Sequence, residues 1–171
     1  MIGKSLAADS APEGLQHLRP LVDSDSFIYS AGFSADVAVA KEFMDNLGCD
    51  REKANELTAE EDYLVQALGN VKQLLQDSIR LFDAQSAKFF LTGSGNYRES
   101  VATLAPYKGN RDGTHKPKYY KELREYVQSV WKAEVVHGME ADDAVSIEQY
   151  NIIDKVSCET PWGRNRFLMD K

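Results

Sequence analysis

The sequence predicts an α/β domain: a central, mostly parallel sheet flanked by helices. Three observations carry that expectation. Short apolar runs near Leu18–Val22, Ala87–Leu91 and Ala133–Val136 read as strands, and the segments between them have helical patterns. Strands alternating with helices imply right-handed crossovers and a parallel sheet. The chain has 171 residues, 43% of them hydrophobic, which suits one domain with a real core.

Residues 1–17 mix Gly, Ala, Ser and Asp without period and are expected to form a loose arm, with a minimal domain over 18–171. The first strand ends in Asp23-Ser24-Asp25, followed by Phe27-Ile28-Tyr29. Functional groups in α/β sheets gather at the carboxyl ends of strands, so these acids are candidates for chemistry. A helix cap explains the same acids without any chemistry. Ala35 to Asn46 has helical composition, and Asp50 to Asp62 reads as an acidic, solvated connection. Thr58-Ala59-Glu60-Glu61 has the form of a capping box. A long helix should follow, because Leu64, Leu68, Val71, Leu75, Ile79 and Phe82 recur at steps of three and four.

Past the second strand, Thr92-Gly93-Ser94-Gly95 lacks both the Lys-Ser/Thr of a Walker loop and the third Gly of a dinucleotide fingerprint. Charge then changes sign locally. Lys108, Arg111, Lys116, Lys118, Lys121 and Arg124 are interleaved with Tyr107, His115, Tyr119 and Tyr120. Cations that track a backbone, with aromatics that stack on bases, are how single strands are held; a solvated basic helix face is the alternative. Pro117 fits a first helical position, and Tyr120, Leu123, Val127 and Val130 form the stripe of the helix after it. Lys118, Lys121 and Arg124 then fall on a different face, where phosphates can reach them. Beyond the third strand, His137 reads as structural, and Glu140-Ala141-Asp142-Asp143 opens a helix. Three carboxylates in four residues exceed what the helix dipole asks for, and hard divalent cations are the simplest means of neutralising them.

These strings, taken together and in this order, resemble a known family. Phe90-Leu91-Thr92-Gly93-Ser94-Gly95-Asn96-Tyr97-Arg98, Pro106-Tyr107-Lys108-Gly109-Asn110-Arg111 and Gly138-Met139-Glu140-Ala141-Asp142-Asp143-Ala144 are similar to the amino-terminal half of the 5′-to-3′ exonuclease and flap endonuclease superfamily (PIN-like), especially its bacteriophage branch. The resemblance covers roughly Leu21 to Tyr150. It implies a metal-dependent phosphodiesterase of replication or repair, acting on 5′-ended, flapped or single-stranded DNA or an RNA–DNA hybrid. It also implies two Mg2+ or Mn2+ ions about 3.5–4 Å apart. On the same resemblance Asp23, Glu140, Asp142 and Asp143 are metal ligands, with Asp25 and Glu159 as outer candidates. Lys108 and Arg111 would steady the scissile phosphate, and Tyr107, Lys116, Lys118, Lys121 and Arg124 would extend the nucleic-acid surface.

Two positions depart from the pattern. Gly93 stands where many members place an Asp. Ile152 to Cys158 is expected to be a further strand, with Glu159 supplying one carboxylate, but Pro161 falls where a second would be. The duplex-binding region of the family is expected to be missing, so that a protein partner would supply it. A catalytically degenerate domain that binds nucleic acid or a replication partner is the alternative function.

Composition limits both readings. A net charge of −7 argues against a non-specific nucleic-acid coat, so any such site must be local. Cys49 and Cys158 have no CxxC spacing, so neither a disulfide framework nor a zinc site is expected. With no basic leader and no run of about 20 apolar residues, a cytoplasmic location without membrane insertion is expected.

Overall fold

The computed structural model describes residues 19–102 and 116–159, apart from the side chains of residue 99 and of residues 155–159. Three parallel strands lie in the order β1 (Leu21–Asp23), β2 (Lys88–Thr92) and β3 (Glu134–Val136). Leu21 pairs with Lys88 and Asp23 with Phe90; Phe90 in turn pairs with Glu134 and Thr92 with Val136. All three strands end at one edge. The acidic strings follow the first and third of them.

Alternation along β2 divides the core into two layers. Phe89 and Leu91 point to one face, where Ile28, Ala31, Ala35, Val71, Leu75, Leu123 and Val127 cover them. These residues come from α1 (Asp25–Leu47), α3 (Leu64–Leu81) and α5 (Tyr120–Val130). Phe90 points the other way onto Ala141 and Ala144 of α6 (Ala141–Glu159). Helices on both faces of a parallel sheet are what near-continuous apolar strands require.

Several expectations need correction. Helix α1 starts at Asp25 and takes in Phe27-Ile28-Tyr29, of which Ile28 is fully buried. The acidic connection is itself a helix, α2 (Arg51–Glu60), capped by the Asp50 carboxylate accepting from Lys53 N–H at 2.9 Å. The capping box does not form: the Thr58 hydroxyl donates back to Ala54 C=O within α2. Helix α3 begins at Leu64, where the Asp62 carboxylate accepts from Leu64 N–H at 3.2 Å. Its stripe is as expected through Val71 and Leu75, but Phe82 is outside the core.

Pro117 precedes α5 by three residues instead of opening it. It packs on Gly32 of α1, where any Cβ would lie 2.5 Å from the proline ring. The strand expected over Ile152–Cys158 is the second half of α6. Nothing between Ala141 and Glu159 breaks a helix, the first proline being Pro161, and Ile152 and Ile153 are exposed. Among the described residues no helix is long and apolar enough to cross a membrane.

Candidate functional site

The carboxyl edge of the sheet is fastened by backbone groups before any side chain acts. Ser24 N–H donates to Phe90 C=O, which extends the β1–β2 pairing one residue past β1. Across the other junction, Gly93 N–H donates to Val136 C=O at 2.6 Å and Gly138 N–H to Ser94 C=O at 2.9 Å. Ser94 N–H donates to His137 Nδ1 at 3.2 Å, which makes that nitrogen an acceptor and gives His137 the structural role its position suggested. A short helix, α4 (Tyr97–Val101), is tied to the same loop by Tyr97 N–H donating to Gly138 C=O.

Thr92 joins three elements. Its N–H donates to Asp25 Oδ2 at 2.9 Å, and its C=O accepts from Arg124 Nη2. Its hydroxyl accepts from Ala141 N–H at 3.0 Å, capping the amino end of α6. The hydroxyl is therefore engaged with the backbone.

Five of the six predicted carboxylates come to this edge. Asp25 is paired with Arg124 at 3.0 Å. Arg98 spans two more, reaching Glu140 with Nη1 at 2.7 Å and Asp143 with Nη2. Asp143 also accepts from Glu140 N–H at 3.3 Å, a capping contact. Asp23 and Asp142 differ from these: among the described residues neither has an ion pair. Asp23 Oδ1 accepts from Asp25 N–H at 2.9 Å, and Asp142 Oδ1 from Asp143 N–H at 2.8 Å.

The Asp23 carboxyl titrates above the ordinary range. Burial is the main cause and the negative charges of Asp25, Asp142 and Glu140 add to it, against a lowering hydrogen bond from Asp25. Asp23 thus senses Asp142 and Glu140 across the β1–α6 junction.

The sixth predicted residue, Glu159, has its backbone far from this edge, which does not fit its assignment as an outer ligand. Glu159 closes α6, about 27 Å along the helix axis from Ala141 at 1.5 Å per residue, beyond side-chain reach of the edge.

The basic residues divide in a similar way. Arg124 faces into the edge instead of out to solvent. Lys118 Nζ holds the last carbonyls of α2, Thr58 at 3.3 Å and Glu61, and lies over the Tyr63 ring at 5.0 Å. Lys116 and Lys121 are exposed, with Lys116 over the Tyr120 ring at 4.5 Å. Tyr107, Lys108 and Arg111 lie outside the described residues.

Arg98 is the residue to which sequence reasoning gave no role. The signal was present: it is the only Lys or Arg between Lys88 and Lys108, ahead of an acidic string that needs cations. Among the described residues no group of three His, Cys, Asp or Glu is gathered as a metal cage. Three of the carboxylates face guanidinium groups. For a hard cation the remaining donors, Asp23 and Asp142, have the right oxygen chemistry. A separate cavity of about 580 Å³ between α1 and α3, lined by residues such as Phe43, Asp62 and Tyr63, includes none of these carboxylates. Compared with known proteins, the chain matches no family model, no curated protein and no solved structure.

Proposed function

We propose that the chain is a metal-dependent phosphodiesterase acting on 5′-ended or flapped DNA, or on an RNA–DNA hybrid. The observation that carries this reading is the pair Asp23 and Asp142: two carboxylates without counter-ions among the described residues, at the carboxyl edge of a parallel sheet, with the charge of Asp142 contributing to the raised pKa of Asp23. The order and spacing of the three sequence strings supply the substrate class.

Asp23 and Asp142 would hold Mg2+ or Mn2+, which when bound lowers the pKa of water and offsets charge on a phosphoryl oxygen. The chain's own groups do the rest. Arg124 and Thr92 fix Asp25 beside Asp23. Lys108 and Arg111 steady the phosphate electrostatically, which is where catalysis of phosphoryl transfer has most to gain. Lys116 and Lys121 supply exposed charge to the strand on either side.

The test is cleavage of flapped, nicked and single-stranded DNA with Mg2+ or Mn2+, for the wild type and Asp142→Asn. The wild type should cut and the variant should not, while the variant binds substrate equally well or better because a negative charge is gone. A second reading is a degenerate domain that binds nucleic acid or a replication partner without turnover. Arg98 on Glu140 and Asp143, and the lack of space at Gly93, favour it. A wild-type chain that cuts no 5′-ended substrate and gains no thermal stability from millimolar Mn2+ would leave that second reading standing.

A further inference from the structure

We infer that Arg98 is a built-in counter-ion that keeps a divalent cation off Glu140 and Asp143, leaving Asp23 with Asp142 as the pair that takes one. The inference rests on the metal-dependent reading above and goes past it, because it replaces a two-ion centre with one ion and one guanidinium.

The geometry of Arg98 is imposed from its backbone outward. Asn96 caps α4 by accepting from Arg98 N–H at 3.0 Å, and Tyr97 N–H is bonded to Gly138, two residues before Glu140. The start of α4 is therefore fixed relative to the first turn of α6. From there the guanidinium uses two nitrogens on two carboxylates. The three side chains keep only 27%, 14% and 21% of their exposure, so salt screens them poorly. Arg cannot shed its charge, and its planar fork matches carboxylate oxygens better than a lysine would.

An ion at Glu140 and Asp143 would need the oxygens that Arg98 holds and would meet its positive charge at contact distance. One Asp143 oxygen faces the Arg98 guanidinium and the other accepts from Glu140 N–H, so both are already engaged. Among the described residues the Asp23 and Asp142 carboxylates accept only short-range backbone bonds, from Asp25 and Asp143.

The experiment is Mn2+ titration of the full chain by calorimetry, with thermal unfolding in parallel, for wild type, R98Q, R98K, E140Q and D142N. Wild type should take a single Mn2+. R98Q should take a second and R98K should not. E140Q should leave the wild-type ion in place, whereas D142N should weaken it by at least about tenfold. A second ion in the wild type, or R98Q that loses stability without a change in stoichiometry, overturns the inference. If R98Q does not fold, the wild-type stoichiometry and E140Q decide: one ion in both supports the counter-ion role, and loss of the ion in E140Q refutes it. No ion in wild type but one in R98Q supports Arg98 as the excluding cation while the metal-dependent reading of the native chain fails; no ion in any variant refutes both.

Discussion

Replacing Gly93 by Ala probes how closely the loop after β2 approaches β3. A Cβ there would lie 2.5 Å from Val136 O and 2.6 Å from His137 Nδ1, where ordinary contact begins at 3.4 Å. The loop would have to open by about 0.9 Å, the difference between those two distances. His137 can turn aside, but the Val136 carbonyl belongs to β3 and accepts the Gly93 N–H bond at 2.6 Å. Overpacking at about 1–3 kcal/mol, with about 1 kcal/mol for the strained hydrogen bond, places the cost near 3 kcal/mol, or about 6–12 °C in Tm. Thermal unfolding followed by circular dichroism measures it, with Gly69→Ala as the control. Gly69 is helical with open space around its Cβ position, so the same substitution there should stabilise by about 0.4–1 kcal/mol. Opposite signs for the two alanines are expected. A Gly93→Ala Tm within about 1 °C of wild type would refute the close-approach argument. By the same geometry Gly93→Asp should lose at least as much stability and gain no Mn2+ binding, because its carboxylate cannot enter without displacing β3.

Three further predictions address the charges. Asp23 has a folded pKa above its usual 3.8, so the native state binds its proton more tightly and stability falls as pH rises from the ordinary carboxylate range through the folded value. Asp23→Asn keeps an oxygen for Asp25 N–H, so its urea midpoint should exceed the wild type's at pH 7, with the difference vanishing in acid. Arg124→Gln leaves Asp25 and the Thr92 carbonyl without their cation; with the pair about one-fifth exposed, a loss of about 2 kcal/mol is expected in chemical denaturation, partly recovered in R124Q/D25N. Lys108→Ala and Arg111→Ala should each weaken single-stranded DNA binding across sequences and flatten its salt dependence by about 0.7 in slope. An unchanged slope would mark both as ordinary surface charges.

The sheet was legible because each strand is a short apolar, β-favouring run between helical stretches, and Phe89, Phe90 and Leu91 show it most clearly. Helix α2 was not, because its sequence is polar nearly all round. Only the small Ala54 and Thr58 turn inward, and packing on α1, more than periodicity, secures it. Thr58 misled for a related reason: a threonine that caps a helix and one that bonds back to the residue four earlier look alike in sequence. The end of α6 was misjudged because Ile152 and Ile153 resemble a strand when their exposure is unknown. At the site the acidic residues were readable and their counter-ions were not. Arg98 is separated from Glu140 by 42 positions and Arg124 from Asp25 by 99, so only the folded chain pairs them.

That pairing changes what the acidic string means. A row of carboxylates after a strand suggests a metal site because like charges at close range need cations. The argument holds, but it does not say which cation answers it. Here guanidinium groups answer it for Asp25, Glu140 and Asp143, and each is positioned by contacts that exist before any ligand arrives: Arg124 through the Thr92 carbonyl, Arg98 through the Asn96 cap and the Tyr97–Gly138 bond. A site held by backbone groups in this way is pre-organised, with little conformational freedom left to lose on binding. Among the described residues, the carboxylates left without a cation, Asp23 and Asp142, are then localised at the junction of β1 and α6. An incoming ion there would relieve the repulsion that raises the Asp23 pKa while leaving both arginines in place.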